Sequence, residues 1–252
     1  MAEKELCTSI PTVIVCGPTG FLGSRTIEAG RGAYGGLSLP RMESSEDIRY
    51  VRSLLKSRLS PGPSLTVINC IGMREGDETT LNLVNADFPS VLAEVTAEAE
   101  AHLIHLGSAA ELVRTRDGVA PTRYQDSKRR GTDNVLAFPN TTVLRVFNLH
   151  GLPHQEFAGL HTVCRALTAW RVGAPLPRLF DTVRDYVHWL HVVEMIQLAV
   201  SRGPLGLKEV GSGNGIALSE IVKALPEVEG GALTDTLIEP DLYSSAISTD
   251  PY

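Results

Sequence analysis

The sequence predicts an α/β fold: a doubly wound parallel sheet with a small C-terminal lobe. Three observations predict it. Short, continuous apolar runs alternate with segments of helical periodicity, as in a parallel sheet covered on both faces. The first run, Thr12–Cys16, leads straight into a glycine-rich turn, Gly17-Pro-Thr-Gly20-Phe-Leu-Gly23. Far downstream, Tyr124 and Lys128 stand one helical turn apart.

Taken in order, strands are expected at Thr12–Cys16, Gly36–Leu39, Leu65–Ile71, Leu103–Leu106 and Thr142–Val146. Ser44-Ser-Glu-Asp47 reads as a capping box that opens a helix over Ser45–Arg58. In that helix Ile48, Val51, Leu54 and Leu55 recur at helical spacing, and Ser60-Pro-Gly-Pro63 ends it. Further helices are expected over Asn85–Ala101, Tyr124–Phe138, Val192–Ser201 and Ser219–Leu225. After Gly151 the composition changes, with Pro, Gly, Arg and aromatics mixed among short strands. The expected division is residues 1–150 as one Rossmann domain with a return segment at about 187–212, and 151–186 with 213–252 as a small substrate-binding lobe.

Composition narrows the function classes. The chain has 252 residues, 43% of them hydrophobic, enough for a substantial core. A net charge of −6 argues against nucleic acid as the main partner. Cys7, Cys16, Cys70 and Cys164 are scattered, with no C-x-x-C or Cys/His cluster, so no metal site is expected. No apolar run is long enough to span a membrane and the first residues lack an apolar signal stretch, so a soluble cytoplasmic protein without a membrane partner is expected.

The glycine turn is a candidate phosphate cradle. Gly17 permits the tight turn, Gly20 lets backbone approach a pyrophosphate, and Gly23 allows close helix packing, with Thr19, Phe21 and Leu22 supplying the rest of the loop. Free N–H groups at the helix start would face the phosphates. After the second strand, Arg41 is a candidate grip for a 2′-phosphate, which favours NADP(H); Glu43 is the counterweight and keeps NAD(H) open.

Tyr124 is a candidate proton donor. Its hydroxyl is sluggish at an ordinary pKa of about 10. An ammonium such as that of Lys128, on the same helix face, would favour the phenolate and make it a competent acid. Ser108, at the end of the His102–Ser108 stretch, would donate a hydrogen bond to the same substrate oxygen. With the cradle, this set points to nicotinamide-dependent redox chemistry.

In these residues the chain resembles the extended short-chain dehydrogenase/reductase family, which acts largely on nucleotide-activated sugars. The resemblance runs over GPTGFLG, VINCIG (Val67–Gly72), Asn85, GSAA (Gly107–Ala110), YQDSK, LRVFNLHG (Leu144–Gly151), VRDYVHWLHVVE (Val183–Glu194) and VGSGNG (Val210–Gly215). It implies a catalytic trio of Ser108, Tyr124 and Lys128. It implies cofactor contacts from the glycine loop, from Cys70, Ile71 and Gly72, from Asn85, and from Lys128 on the ribose. Asn148 and Arg184 match positions that contact the substrate's diphosphate, and a homodimer is implied through the helices over Asn85–Ala101 and Tyr124–Phe138, with Val91, Leu92, Val95 and Val135 as candidate interface positions.

The departures are informative. Leu112-Val113 stand where the family carries Tyr-Gly. Ala109 and Ala110 replace the aspartate–glutamate pair of sugar 4,6-dehydratases, and Ala109 also replaces the cysteine of epimerase-reductases, although His161 is placed like their histidine. The compact stretch before VINCIG resembles dTDP-4-dehydrorhamnose reductases and related 4-ketoreductases. The leading expectation is an NADPH-dependent reductase of an NDP-4-keto-6-deoxyhexose. An NAD-dependent 4-epimerase, a ketoreductase of a polyketide or aromatic product, and a non-catalytic dinucleotide-binding protein are the alternatives.

Overall fold

The computed structural model describes residues 12–59, 64–112, 121–151, 179–220 and 238–240. Its centre is a six-stranded, all-parallel sheet built from β1 (Thr12–Cys16), β2 (Tyr34–Leu37), β3 (Leu65–Asn69), β4 (His102–Ser108), β5 (Thr141–Val146) and β9 (Gly206–Val210). The spatial order is β2-β1-β3-β4-β5-β9. Chain order therefore reverses between β1 and β3, and the carboxyl ends of those two strands flank the crevice where open α/β sheets hold ligands.

Both faces are covered. On one, α2 (Ser45–Arg58), α4 (Phe88–Glu98) and α5 (Arg123–Leu136) pack over Val67, Leu103 and Val143. On the other, α1 (Phe21–Ala29) and the helix Trp189–Arg202, here α6, lie side by side over Val15, Ile104 and Leu144. The strands are buried on both sides, which is why their sequences run apolar without alternation. A smaller sheet joins β6 (Asn148–His150) to β8 (Val183–His188) in parallel, and β8 to β10 (Gly215–Ala217) antiparallel. β7 (Leu179–Asp181) pairs with β11 (Ile238–Pro240).

Helix α2 occupies the predicted Ser45–Arg58, opened by its capping box: the Asp47 N–H donates to Ser44 Oγ at 3.2 Å and the Ser44 N–H to Asp47 Oδ2 at 2.8 Å. Other boundaries move. β2 begins at Tyr34 because it pairs in register with Val13, and it leaves the sheet at Leu37, opposite the end of β1. β3 stops at Asn69, whose side chain accepts from the Ile71 N–H at 3.0 Å and turns the chain out of the sheet.

The helix expected from Asn85 starts earlier. It runs as α3 (Glu78–Asn82), passes through one π turn at Leu83–Asp87, and continues as α4 to Glu98. Asp77 caps its start, accepting from the Thr80 N–H at 2.8 Å. The π turn adds a residue, so the apolar spacing on its two sides is out of phase. Of the helix expected over Ser219–Leu225, residues 218–220 are helical and the rest lies outside the described residues.

Candidate active site

The glycine turn folds as a cradle. Gly17 has φ +80°, and a Cβ there would meet Ile71 Cγ1 at 2.8 Å. A Cβ on Gly23 would overlap the Gly17 carbonyl, so α1 approaches the turn as closely as backbone allows. Gly20 caps α1 without any side-chain hydrogen bond, which leaves the first N–H groups of the helix to a ligand. Thr19, Phe21 and Leu22 stand in this turn and the first residues of α1. Phe21 is partly exposed and packs edge-on to Trp189 of α6 at 6.0 Å between ring centroids. The Arg25 guanidinium lies 5.4 Å from the Trp189 ring and pairs with Glu28 at 2.8 Å.

The second wall of the crevice is the loop after β3. The Cys70 N–H donates to the Cys16 carbonyl at 3.0 Å, continuing the β1–β3 contact. Both thiols are pushed up to about 12 by burial, so neither is a nucleophile. Asn85, in the π turn, spends its amide on this loop. Its Oδ1 accepts from the Met73 N–H at 2.9 Å, while Nδ2 donates to the Met73 carbonyl at 2.7 Å and to Ser127 Oγ at 3.1 Å. A direct cofactor contact was expected of Asn85. The hydrogen bonds of its amide fix the loop against α5.

Tyr124 and Lys128 lie in the first turns of α5, whose start is a capping box between Thr122 and Gln125. Tyr124 Oη donates to Ser108 Oγ over a long 3.4 Å, and Ser108 Oγ also accepts from the Ala110 N–H at 3.2 Å. The serine's own proton therefore remains for another acceptor. Lys128 is 6% exposed; its Nζ donates to the Leu106 carbonyl at 3.3 Å and lies 3.1 Å from where a Cβ on Gly72 would stand. The trio predicted from sequence is thus brought together at the carboxyl end of β4, beside the loop after β3.

Its electrostatics differ from the expectation that Lys128 acidifies the phenol. Burial raises the Tyr124 pKa above its ordinary value; the hydrogen bond with Ser108 and the charge of Arg74 oppose this, and the charge of Glu111 adds to it. The ammonium is held instead by Leu106, and burial pulls its own pKa down to about 8 against the charge of Glu111. His105, beneath it on β4, is fully buried and held near 3 by burial and by Lys128, so it stays neutral. Its Nδ1 accepts from Asn69 Nδ2 at 3.0 Å, since Asn69 Oδ1 is taken by the Ile71 N–H. Nε2 then carries the proton and has no partner among the described residues.

Arg74 and Glu111 were missed in the sequence. Arg74 is one of many exposed arginines, and only the pinning of Met73 brings its charge to bear on Tyr124. Glu111 follows Ser108 in a 3₁₀ turn, Ala109–Leu112, where a charged residue reads as surface. Ala109 and Ala110 occupy the same turn, as does Leu112; Val113 and His161 lie outside the described residues.

Arg41 pairs with Glu43 at 2.9 Å, its side chain 80% exposed, so the two residues that the sequence set against each other in cofactor choice bind one another. Asn148 and Arg184 sit on neighbouring strands of the small sheet. Asn148 Nδ2 donates to the Asp185 carbonyl at 3.0 Å, and the Arg184 guanidinium is bonded to the Val183 carbonyl at 3.1 Å. Between them Asp185 is fully buried, accepting from the Ser212 N–H and Oγ at 2.7 Å each and from the Gly213 N–H at 3.0 Å. This joins the VRDYVH strand to the VGSGNG turn. The candidate dimer positions Leu92, Val95 and Val135 are buried in the core, and Val91 packs against it, so they offer no exposed interface. No metal-binding group of His, Cys, Asp or Glu occurs among the described residues, and no described helix is long and apolar enough to cross a membrane.

No protein-family model matches the chain, and no curated protein matches it. Solved structures do. The Bordetella bronchiseptica enzyme WbmG, in complex with NAD and UDP, matches at a TM-score of 0.69 and 19% identity over 95% of this chain and 86% of its own. A dTDP-4-dehydrorhamnose reductase from Yersinia enterocolitica matches at 0.70 and 15% identity, over 91% of this chain and 83% of its own. TunA, an NAD-dependent NDP-hexosamine 5,6-dehydratase involved in tunicamycin biosynthesis, matches at 0.65 and 17% identity, over 84% and 78%. The Rossmann-like α/β fold of this chain is one it shares with these proteins.

Proposed function

We propose that the chain is a nicotinamide-dependent oxidoreductase that modifies a nucleotide-activated sugar, reducing the C4 ketone of an NDP-4-keto-6-deoxyhexose. The observation that carries this reading is the meeting of Tyr124 and Ser108 at 3.4 Å, with Lys128 buried beside them against the Gly72 loop. The same residues serve an NAD-dependent 4-epimerase that oxidises and re-reduces C4. The pairing of Arg41 with Glu43 favours that second reading, because a 2′-phosphate would have to displace the carboxylate.

The cradle fits a dinucleotide: its turn is so tight that a Cβ at Gly17 or Gly23 would collide with Ile71 or with the Gly17 carbonyl, and the start of α1 is uncapped. Gly17, Gly20 and Gly23 with the backbone of Phe21 and Leu22 would hold the pyrophosphate, and Lys128 the nicotinamide ribose. When bound, the reduced nicotinamide supplies the hydride. The protein's part is the proton. Ser108 directs its free hydroxyl proton to the carbonyl oxygen and polarises it. Tyr124 then gives its phenolic proton to that oxygen, so ketone, hydride and proton together make a secondary alcohol. The phenolate that remains is steadied by the hydrogen bond with Ser108 and by the charge of Arg74, the two influences that oppose burial at Tyr124. Asn148 and Arg184, on neighbouring strands of the small sheet, would face the diphosphate.

The test is NADPH oxidation with a dTDP- or UDP-4-keto-6-deoxyhexose. Tyr124→Phe should abolish it while cofactor fluorescence titration still shows binding. Undiminished turnover in Tyr124→Phe rejects the mechanism. NAD that stays bound through purification would select the epimerase.

A further inference from the structure

Glu111 belongs to none of the motifs that define the site, yet its side chain is 2% exposed three residues after Ser108. Oε2 accepts from Thr132 Oγ1 at 2.8 Å, and Oε1 is bonded to Arg145 Nε. Thr132 lies one helical turn beyond Lys128 on α5, and Arg145 is on β5 directly across from Gly107. Gly107 makes the arrangement possible, since a Cβ there would stand 3.2 Å from Thr132 Oγ1. A single carboxylate thus ties together the turn that carries Ser108, the helix that carries Tyr124 and Lys128, and the neighbouring strand. A buried carboxylate is otherwise expensive, and a neutral residue would close this corner more cheaply.

We propose that Glu111 is a positioning residue for proton transfer: its carboxylate fixes Ser108 against α5 and supplies the negative charge that keeps Lys128 protonated inside the protein. The other groups around the ammonium do not do this. His105 beneath it is neutral, Asn85 and Gly72 carry no charge, and Tyr124 on the same helix is protonated. Arg74 reaches toward Tyr124 with a positive charge. Arg145 is shared with Glu209 of β9 at 3.2 Å, so it offsets the charge of Glu111 only in part.

The idea rests on the oxidoreductase reading for its consequence in turnover, but not for its first test. Competitive amine labelling against pH, read by peptide mass spectrometry, follows the proton on Lys128 with no substrate present. Glu111→Gln keeps an acceptor for Arg145 and a polar partner for Thr132, and removes only the charge. The Lys128 midpoint is expected to fall by about one pH unit; an unmoved midpoint in the folded variant overturns the proposal. Thr132→Val keeps the charge and cuts the tie to α5, and it serves where the neutral variant does not fold. It is expected to lower kcat roughly tenfold with the cofactor KM unchanged; native kcat overturns the positioning role. A chain without redox activity would reject the function above and leave the labelling result standing.

Discussion

The crossing of α5 over the π turn makes a sharp demand on one residue, Gly131. A Cβ there would overlap the Asn85 carbonyl oxygen and stand 3.1 Å from its carbon. On an exposed helix, Gly→Ala would stabilise by about 1 kcal/mol. Here the helices would have to part by about an ångström to reach van der Waals contact. Overpacking of this kind costs about 1–3 kcal/mol. Parting also strains the bonds from Asn85 Nδ2 to Ser127 Oγ and from Asn134 Nδ2 to the Ala86 carbonyl, each about 1 kcal/mol. We therefore expect Gly131→Ala to destabilise by roughly 2–4 kcal/mol, a fall in Tm of about 5–15 °C for a chain of this size. The same movement withdraws Ser127 from Asn85 and loosens the Met73 loop, so the cofactor KM should rise. Thermal unfolding and cofactor titration check the two effects together. A variant as stable as the native chain, or more so, would show that helix propensity alone governs this position and that the close crossing is not real.

Further expectations concern charge and fold. Lys128 has a folded pKa near 8 against an ordinary value of 10.5; between those values the unfolded chain binds more protons, so stability should rise with pH by up to about 3 kcal/mol, a slope Lys128→Met removes. Activity should fall over the same interval as the ammonium is lost, so pH profiles of unfolding and turnover should run in opposite directions. Asp185→Ala leaves the Ser212 and Gly213 N–H groups without their acceptor and should cost about 3 kcal/mol, read by denaturant unfolding. Glu43→Gln frees Arg41 and should shift cofactor preference toward NADP(H), measured as a ratio of Kd values. Equal effects on both cofactors would remove Arg41 from the site.

Much of this was legible because it is local. Gly17, Gly20 and Gly23 announce the cradle through backbone demands that only glycine meets, and Ser44 with Asp47 fixes a helix start by reciprocal hydrogen bonds. Ser108, Tyr124 and Lys128 stood out by type and spacing, and the fold brings the three side chains together. What sequence hid is non-local. Glu111 becomes a buried ion only because β5 brings Arg145 across from Gly107. Leu92, Val95 and Val135 suit either a subunit interface or the core by sequence, and only the laying of α4 and α5 on the sheet decides for the core. The π turn escaped because an inserted residue breaks the periodicity by which helices are recognised. The partnership of Lys128 with Tyr124 was sound in placement, but burial dominates the energetics, and burial is not written in a four-residue spacing.

That π turn acts as a phase splice. The Phe88 N–H reaches back to the Leu83 carbonyl, so the rod is rotated by one residue between its two halves. Deleting a single residue from Leu83–Asp87 would heal it into an uninterrupted α-helix, and the half before the deletion would swing about 100° relative to the half after it. Phe88 and Leu92 would keep their seat in the core, while the Asn85 carboxamide would swing away from Met73. The irregularity is what lets one rod look inward with one end and grip the cleft with the other.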